Sequence, residues 1–489
     1  MSQENTTAAI AEPRPWHTPK QDEILICPVG GVRKIGMNMT LYGTAGRYLI
    51  VDAGIAFMPP AEAEATGIRA HSIAPETLED NFDCVDALIV THGHEDHIGG
   101  VLDILLHYDV PVYLTPLADQ MLRRKAREIR FPYPIDAKIF SPGDEFRIGR
   151  FLVATCPVSH SIPEACSLFI VADGVQKGIL HTGDYNMDQG NALGTTDEAW
   201  LKRLGDADMV GLVVGDSTNA AKETDNASEA EVALGLEAIM RQAEGGVYVV
   251  SFGSNICRVI NAHKAALAAG RTLAIAGTSM LRMTSMARNL GYGADLPEAA
   301  DRCELDALPR QKRAMIMTGI QGETYAALGR MLDGAVGYPD VRRGDVIVLS
   351  GRTIGQNRPA LEAMLKTYRQ LGVTVLESWD QVDGKPLHAS GHASRNEIIS
   401  YYRLARPEIV MPVHGEPEHM AAHADIARSL SLRSEIPQPG DVFRMNDAGL
   451  TKIGQVTPAI LAHREDGGQA VRIPSLEGEG ATAMETKAA

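Results

Sequence analysis

Three histidines and two acidic residues fall within six positions of the segment Thr91–Gly100, THGHEDHIGG. His92, His94, Asp96 and His97 make up the pattern HxHxDH inside this segment. Imidazole nitrogens and carboxylate oxygens are ligands that suit zinc, and manganese or other divalent ions also accept them. A lone His-x-His pair is common in surface loops. Four such groups in six residues instead favour a metal site.

The element that precedes this segment predicts how the side chains point. The apolar run Ala87–Val90 reads as a buried strand. Side chains two residues apart at a strand end share a direction, so His92 and His94 can bind the same ion. Asp96 and His97 begin the next element and form a second ligand pair, which predicts two metal positions. The apolar positions of that next element fit a helix and are Ile98, Val101, Leu102 and Leu105.

Further ligand candidates follow other predicted strands. Strand ends in one α/β layer structure meet at the same edge, so residues far apart in sequence can converge there. His160 is expected to complete three histidines around the first ion, and Asp184 can bridge both ions through its two oxygens. His414 can close the second site, whereas His181 is expected to make a structural hydrogen bond within its strand. The runs that predict these strands are Arg47–Asp52, Asp86–His92, Phe151–His160, Gly178–Asp184, Val210–Asp216 and Glu408–Glu416.

The charge of such a site indicates its substrate. Two zinc ions bring four positive charges, which Asp96, Asp184 and one bridging hydroxide reduce to about one net positive charge. That balance suits a phosphodiester anion. Metal binding lowers the pKa of water from about 15.7 to roughly 7, and two ions about 3.5–4 Å apart can stabilise the attacking and leaving oxygens. The sequence therefore predicts hydrolysis.

The chain of 489 residues predicts two domains. Residues 1–21 are expected to be a disordered tail and residues 22–218 the first part of a domain. Strands then alternate with longer helices over 219–387, which predicts a parallel, doubly wound inserted domain. Histidine motifs return over 388–456, the expected second part of the first domain, and 457–489 is expected to be a mostly flexible tail.

Composition excludes some classes of protein. A formal net charge of −16 argues against a nonspecific polycationic nucleic-acid binder. The basic stretch Arg123–Arg130 is either a local nucleic-acid patch or a solvated helix face. No apolar run is long enough to span a membrane, and the polar N-terminus lacks a secretory signal. Reduced thiols in the cytoplasm are expected because none of the six cysteines forms a CxxC motif; they are Cys27, Cys84, Cys156, Cys166, Cys257 and Cys303.

The combined motifs resemble a known family. HxHxDH with His160 and Asp184 resembles the metallo-β-lactamase superfamily. Asp216 in GDSTN, His392 in SGHA and His414 in PVHGE resemble the three additional motifs of its β-CASP branch of nucleases. The whole arrangement, from about residue 24 to 455, is similar to the bacterial ribonuclease J family in a form that lacks the C-terminal domain. Supporting segments are Gly30–Asn38, Ser251–Arg258, Thr318–Glu323 and His388–Ser394.

The resemblance implies an α/β fold, in which a metallo-β-lactamase αββα sandwich is interrupted by a doubly wound β-CASP domain. RNA would enter the cleft between the two domains. The implied cofactors are two Zn²⁺, with Mn²⁺ or Mg²⁺ as substitutes. The implied ligands of one ion are His92, His94, His160 and Asp184, and those of the other are Asp96, His97, Asp184 and His414.

The resemblance also implies roles around the scissile phosphate. His392 would stabilise or protonate the leaving group, and Asp216 would orient either a metal ligand or His392. Two segments would bind RNA phosphates through backbone N–H, hydroxyl and amide groups. They are Gly253, Ser254 and Asn255, and His388, Ala389, Ser390, Gly391 and His392. The first segment has an alternative interpretation as a strand-to-helix turn with Ser254 or Asn255 as the N-cap.

The implied activity is zinc-dependent hydrolysis of single-stranded RNA with a 5′-monophosphate end, in RNA processing and decay. Departures from the family pattern leave 5′-to-3′ exonuclease and endonuclease action open. They are Arg33-Lys34 in place of an acidic residue, Cys257 in place of a histidine, and SGRTIGQN (Ser350–Asn357) in place of SSxPIPGNE. A homodimer is left open because the chain stops about where the family's C-terminal domain, which contributes to oligomerisation, begins.

Other functions fit the sequence less well than an RNA nuclease. A β-CASP DNA nuclease is the nearest competitor. The insertion of about 170 residues between Asp216 and His392 argues against a small-ester or thioester hydrolase and against a lactamase. A catalytically dead RNA-binding scaffold would be expected to have lost metal ligands, and all seven are present.

Overall fold

The computed structural model of the protein describes residues 19–79, 81–82, 84–296, 298–464 and 470–473. Residues 1–18 of the expected tail at 1–21, and most of the segment after residue 464, lie outside these ranges. Within the described part of the chain, no helix is both long and apolar enough to cross a membrane.

The described strands are β1 (Ile24–Gly30), β2 (Met39–Thr44), β3 (Arg47–Val51), β4 (Ile55–Phe57), β5 (Ile68–Ile73), β6 (Cys84–Ile89), β7 (Val112–Leu114), β8 (Ala137–Ile139), β9 (Glu145–Ile148), β10 (Phe151–Pro157), β11 (Cys166–Ala172), β12 (Gly178–His181), β13 (Val210–Asp216), β14 (Val247–Val250), β15 (Thr272–Ala276), β16 (Arg313–Met317), β17 (Val346–Leu349), β18 (Thr374–Leu376), β19 (Gln381–Val382), β20 (Lys385–Pro386), β21 (Ile409–Val413), β22 (Arg433–Ser434), β23 (Asp441–Asn446), β24 (Gly449–Gln455), β25 (Ile460–Arg464) and β26 (Val471–Ile473).

The described α-helices are α1 (Pro60–Thr66), α2 (Glu76–Glu79), α3 (Glu95–Ile98), α4 (Val101–Leu105), α5 (Pro116–Glu128), α6 (Glu198–Asp206), α7 (Glu229–Gln242), α8 (Ile256–Ala268), α9 (Thr278–Asn289), α10 (Ala327–Leu332), α11 (Arg358–Gln370), α12 (Arg395–Ala405) and α13 (Pro417–Ser429). Short 3₁₀ turns lie at Leu305–Ala307, Arg310–Lys312 and Gly355–Asn357.

Two large sheets form the first domain. One sheet has the strand order β24-β23-β1-β2-β3-β6-β7-β8, and the other has the order β22-β21-β13-β12-β11-β10-β9. Both sheets contain strands from before and after the inserted domain, so the chain leaves this domain and returns to it. In the second sheet β12, β13 and β21 are parallel neighbours, which brings their carboxyl ends to one edge.

The side chains of β13 explain the layering of this domain. Leu212 and Val214 lie in the core between the two sheets, whereas Val213 lies in the core under the outer helices α6, α12 and α13. Successive side chains of a strand point to opposite faces, so a fully apolar strand can be buried on both sides. A third core packs α4 and α5 on the outside of the other sheet. The expected αββα sandwich is therefore confirmed.

A five-stranded parallel sheet, in the order β15-β16-β14-β17-β18, forms the inserted domain. Helices α7 and α8 cover one face, with Val232 and Val259 in the core. Helices α10 and α11 cover the other face, with Leu328 and Leu361 in the core. The sheet is doubly wound, as expected, and its strands run from Val247 to Leu376.

The structure differs from expectation in two elements. The helix after the HxHxDH segment is split into α3 and α4 by Gly99 and Gly100, because the Gly100 N–H donates to Ala53 O (2.7 Å) instead of continuing the helical ladder. The segment 457–489 was expected to be mostly flexible, but Ile460–Arg464 forms β25 and pairs with β5. Ile460 and Ala462 are buried, and burial of these alternate side chains fixes this strand.

Candidate metal and catalytic site

The seven predicted ligands converge at one edge of the sandwich. His92, His94, Asp96 and His97 lie in the turn after β6 and at the start of α3. The remaining three ligands follow the carboxyl ends of strands in the second sheet: His160 after β10, Asp184 after β12 and His414 after β21. This arrangement is the convergence of strand ends that the sequence pattern predicts.

One group of ligand atoms comes from His92, His94, His160 and Asp184, and these atoms lie within 4.8 Å of one another. His94 Nδ1 is 3.1 Å from His92 Nε2 and 3.0 Å from His160 Nε2. Asp184 Oδ2 is 3.8 Å from both of those Nε2 atoms. A tetrahedral ion with metal–nitrogen bonds of about 2.0–2.1 Å separates its ligand atoms by about 3.3 Å, so the group has the dimensions of a zinc site.

A second group comes from Asp96, His97, Asp184 and His414. Asp184 Oδ1 lies 3.2 Å from His97 Nε2 and 3.4 Å from His414 Nε2. Asp96 Oδ2 lies 3.7 Å from His97 Nε2 and 3.5 Å from His414 Nε2. Asp184 therefore turns one carboxylate oxygen to each group, the geometry of a bridging ligand.

Three polar atoms of these groups make no hydrogen bond within the part of the chain that the structure describes. Asp184 Oδ1 and both ring nitrogens of His414 are buried without a hydrogen-bond partner among the described residues. Buried polar atoms are normally satisfied, and a bound cation would satisfy the Asp184 oxygen and one nitrogen of His414. This buried His/Asp cluster fits a divalent metal.

Charge inside the cluster favours the ionised form of the bridging carboxylate. Burial opposes ionisation of Asp184, but the imidazoles of His414, His97 and His392 outweigh it and hold its pKa well below the ordinary value. Burial lowers the pKa of His92 and His94 well below the ordinary value, and that of His160 to about 4. These three imidazoles are thus in the neutral form that binds metals.

Asp52, at the carboxyl end of β3, is a supporting residue that the sequence analysis did not assign to the site. Its Oδ2 accepts a 2.7 Å hydrogen bond from His97 Nδ1, which orients the ring and leaves Nε2 for the second group. Asp52 Oδ1 also accepts the Thr91 N–H (2.8 Å). The available signal was its place at the end of the run Arg47–Asp52, which is the same context as that of Asp184 at the end of Gly178–Asp184.

The loop His388–His392 lies directly against the first ligand group. Gly391 O accepts a 2.8 Å hydrogen bond from His160 Nδ1 and so orients that imidazole. A Cβ on Gly391 would lie 2.8 Å from Cε1 and 2.9 Å from Nδ1 of His160, which is closer than real Cβ contacts. Only glycine allows the loop this approach.

Asp216 and His392 form a hydrogen-bonded pair beside the bridging carboxylate. His392 Nδ1 donates to Asp216 Oδ2 (2.8 Å) and is 3.8 Å from Asp184 Oδ2. Burial opposes protonation of His392, but Asp216 and Asp184 outweigh it and raise its pKa to about 9. The sequence left open whether Asp216 orients a metal ligand or His392. In the structure its hydrogen-bond partner in this pair is His392. A third group of ligand-type atoms, from Asp184, Asp216, His392 and His414, also lies within 4.8 Å.

Three asparagines that the sequence analysis did not single out hold the His388–His392 loop in place. Asn219 Nδ2 donates to Ser390 Oγ (2.7 Å) and to His392 O (3.1 Å). Asn226 Nδ2 donates to His392 O (2.8 Å), and Asn186 Nδ2 donates to Ser390 O (3.0 Å). The signal for Asn219 was its position in GDSTN, three residues after Asp216.

The segment Gly253–Asn255 lies at the carboxyl edge of the inserted sheet. Asn255 is the N-cap of α8, because its Oδ1 accepts the Arg258 N–H (2.9 Å), as in the alternative interpretation. Arg258 is fully buried, donates to Glu229 Oε1 (2.7 Å) and reaches Ala389 O (3.4 Å). This segment and the His388–His392 loop are thereby linked through Arg258.

The departures from the family pattern lie around the metal cluster. Lys34 forms a backbone bridge with Gly415, next to His414. Cys257 is buried and its Sγ donates to Asn191 Oδ1 (3.1 Å), and burial raises the pKa of its thiol well above the ordinary value. Arg352, in Ser350–Asn357, donates from Nη1 to Asn219 Oδ1 (2.9 Å).

The basic stretch Arg123–Arg130 is largely neutralised. Arg123 pairs with Asp119 (2.8 Å), and Lys125 pairs with Glu95 (3.1 Å). Arg124 also lies 3.6 Å from Glu128, so three of the five basic side chains of this stretch are paired with carboxylates, which favours the interpretation as a helix face.

Comparisons with protein families match three parts of the chain. Residues 35–195 match the metallo-beta-lactamase superfamily, and residues 244–367 match "Ribonuclease J, beta-CASP domain". Residues 385–437 match "Zn-dependent metallo-hydrolase RNA specificity domain".

Similar proteins include Ribonuclease J from Sinorhizobium meliloti, which is 36% identical over 428 residues, covering 86% of this chain and 73% of that protein. Ribonuclease J from Thermus thermophilus is 30% identical over 452 residues, covering 90% of this chain and 77% of that protein. A solved structure of an Enterococcus faecalis protein of unknown function shares the fold, with a TM-score of 0.56 at 16% identity, covering 86% of this chain and 99% of that chain. The chain therefore belongs to the ribonuclease J family.

Proposed function

We propose that this protein is a zinc-dependent ribonuclease that hydrolyses phosphodiester bonds of single-stranded RNA. One observation carries the proposal: Asp184 turns its two oxygens to two four-residue ligand groups and lies beside the Asp216–His392 pair. The bound ions would be held by His92, His94, His160 and Asp184 on one side, and by Asp96, His97, Asp184 and His414 on the other.

The donor atoms favour zinc over harder cations such as magnesium. Five imidazoles and two carboxylates supply the ligands, and magnesium prefers sites made mainly of oxygens. Mn²⁺ accepts the same donors and is the expected substitute. When bound, two such ions offset the charge of a phosphodiester and lower the pKa of a water molecule to near neutrality.

The chain's own residues position the substrate and move a proton. Asp216 accepts the hydrogen bond from His392 Nδ1, so it fixes the imidazole and leaves Nε2 for the leaving oxygen of the scissile bond. His392 in its protonated form would donate that proton as the bond breaks. The His388–Gly391 loop, held by Asn219 and Asn186, would contact phosphates through backbone N–H and hydroxyl groups.

RNA is the proposed substrate because residues 385–437, which contain His392 and His414, match an RNA specificity domain. The relatives named Ribonuclease J support the same substrate class and a role in RNA processing and decay. We propose a 5′-monophosphate end as the preferred terminus. The family resemblance and Gly253–Asn255, linked to His388–His392 through Arg258, support it. The six free cysteines support a cytoplasmic location.

The test is hydrolysis of a single-stranded RNA that carries a 5′-monophosphate and a label at its 5′ end. Purified protein is assayed with Zn²⁺ or Mn²⁺ and with chelator, beside a DNA of the same sequence and a thioester. Metal-dependent cleavage of RNA is expected. Labelled mononucleotide would identify 5′ exonuclease action, and longer labelled fragments would identify internal cutting. Light scattering on the same sample distinguishes a monomer from a homodimer.

Efficient metal-dependent cleavage of DNA with intact RNA would replace the proposal with a β-CASP DNA nuclease. Thioester hydrolysis without nuclease activity would overturn it in favour of a small-molecule hydrolase. RNA binding without any hydrolysis would indicate a scaffold.

A further inference from the structure

The segment Ser350–Asn357, where this chain departs from the family pattern, places a cation at the junction of the two domains. It follows β17, at the carboxyl edge of the inserted sheet. Arg352 Nη1 donates to Asn219 Oδ1 (2.9 Å), and Asn219 in turn holds Ser390 and the carbonyl of His392. Arg352 is therefore connected through Asn219 to the loop that carries His392.

The charge of Arg352 is not neutralised by the protein. Its side chain is exposed, and among the described residues no carboxylate lies within ion-pair distance of its guanidinium. By contrast, Arg358, in the same region, pairs with Glu377 (2.9 Å). A guanidinium held by one hydrogen bond keeps further N–H donors in a fixed fork, which suits a phosphate oxygen pair.

Neighbouring cations strengthen the positive field at this place. Burial first, and then the charges of Arg258, Lys222 and Arg352, lower the pKa of His388 well below the ordinary value. Because Glu229 neutralises Arg258, and the carboxylates of Glu397 and Asp225 act on Lys222, the cation of this group that is least compensated is Arg352. This field lies beside the loop proposed to bind phosphates.

An exposed aromatic ring next to Arg352 indicates the class of anion. Phe252 is 37% exposed, and its ring lies 3.6 Å from the place that a Cβ on Gly351 would occupy. The ring thus lies beside Gly351, the residue that precedes Arg352. Proteins that bind single-stranded nucleic acids combine aromatic rings, on which bases stack, with cations that contact the phosphates.

We propose that Arg352 binds a backbone phosphate of the RNA substrate next to the scissile phosphate, on the side of the inserted domain. The inference rests on the proposed ribonuclease function. Arg352 is thereby a substrate-binding residue, additional to Gly253–Asn255 and the His388–His392 loop.

The test is the salt dependence of RNA binding. A fluorescent, phosphorothioate-linked single-stranded RNA is bound to the metal-loaded protein, and Kd is measured by anisotropy at several salt concentrations. Arg352→Ala is expected to raise Kd by about tenfold, the value of one charge-assisted contact. It should also reduce the slope of log Kd against log salt by about 0.7, the contribution of one phosphate in single-stranded nucleic acid.

Three further variants separate charge from structure. Arg343→Ala is the matched control, because Arg343 is an exposed arginine that precedes β17 at the opposite edge of the sheet, and it should change neither quantity. Arg352→Lys keeps the positive charge, so it should keep the slope of log Kd against log salt. Arg352→Gln keeps an N–H donor for Asn219 but removes the charge, so it should behave as Arg352→Ala.

Two results would overturn the inference while leaving the proposed function intact. In the first, Arg352→Ala has the same Kd and the same salt slope as the wild-type protein, and the wild-type protein cleaves RNA. The other is full recovery of both quantities in Arg352→Gln, which would reduce Arg352 to a support for Asn219. A wild type that neither binds nor cleaves RNA would overturn the proposed function and this inference together.

Discussion

Asp216 and His392 are separated by 176 residues and share a 2.8 Å hydrogen bond. Asp216 ends a strand that precedes the inserted domain, and His392 lies in the loop that follows it. The chain therefore leaves the first domain beside the metal cluster and returns to it at the same place. Folding of the inserted domain also contributes to the position of His392, since Arg258 of α8 contacts Ala389.

His392→Ala is expected to slow RNA cleavage by about 10²- to 10⁴-fold, the range for loss of a general acid. Bound metal should stay at the wild-type amount, because the His392 imidazole is hydrogen-bonded to Asp216 and belongs to neither proposed ligand set. Single-turnover cleavage and metal analysis on the same sample check both. His107→Ala, at an exposed histidine paired with Glu79, is the control. Loss of metal along with activity would instead make His392 a ligand.

Gly391→Ala should impair the first ligand group. The added Cβ would press on the His160 ring at 2.8 Å, so the ring or the loop must move. Zinc affinity and RNA cleavage should each fall at least about tenfold, the lower bound for lost orientation of a ligand. Gly355→Ala is the control, since nothing lies within 4 Å of a Cβ there. Wild-type affinity in Gly391→Ala would contradict the tight approach of the loop to His160.

Asp52→Asn should weaken the second ligand group through His97. The substitution removes the charge that His97 Nδ1 faces at 2.7 Å, and loss of such a partner lowers metal affinity by about 10- to 100-fold. Competition with a chelator of known affinity measures this change. Asp22→Asn, at an exposed aspartate, should have no effect. An unchanged affinity in Asp52→Asn would show that His97 does not need this partner.

His423 should make stability fall in mild acid. It lies buried between Tyr402 and Ser217, and burial lowers its pKa to about 4. An unfolded chain, with a histidine pKa of about 6.5, binds the proton first as the pH falls. Stability is thus fully present above about pH 6.5 and is lost as the pH falls towards 4. At about pH 5.5 this histidine should cost roughly 1 kcal/mol of the free energy of unfolding.

Urea unfolding of the wild type and of His423→Gln near neutral pH and at about pH 5.5 isolates this contribution, because the other titrating groups are common to both proteins. The variant should lose less stability between the two pH values. Equal losses would show that His423 takes no part.

Most of the metal cluster could be predicted because its residues occupy strand ends, which topology brings to one edge. The same reasoning identified Asp184 as the bridging candidate, and the two oxygens do face different groups. Asp52 was missed although its context is the same, because its role depends on which way His97 turns. That rotation is fixed by packing and not by sequence spacing.

Loop contacts were less predictable than strand ends. The hydrogen bonds of Asn219 to Ser390 and of Arg352 to Asn219 join segments 171 and 133 residues apart. No periodic pattern encodes such pairs. The strand Ile460–Arg464 was also missed, because its apolar residues are few and it is held in place by pairing with β5 and β26, which are distant in sequence or lie in the expected tail.

The two-metal site bridged by Asp184 is tested by a titration of metal into chelator-stripped protein, with bound ions per chain and cleavage of 5′-labelled RNA measured at each step. Cleavage should be absent without metal, return as two ions per chain bind, and never return in Asp184→Asn. Cleavage by metal-free protein, or full cleavage by Asp184→Asn, would contradict the two-metal site.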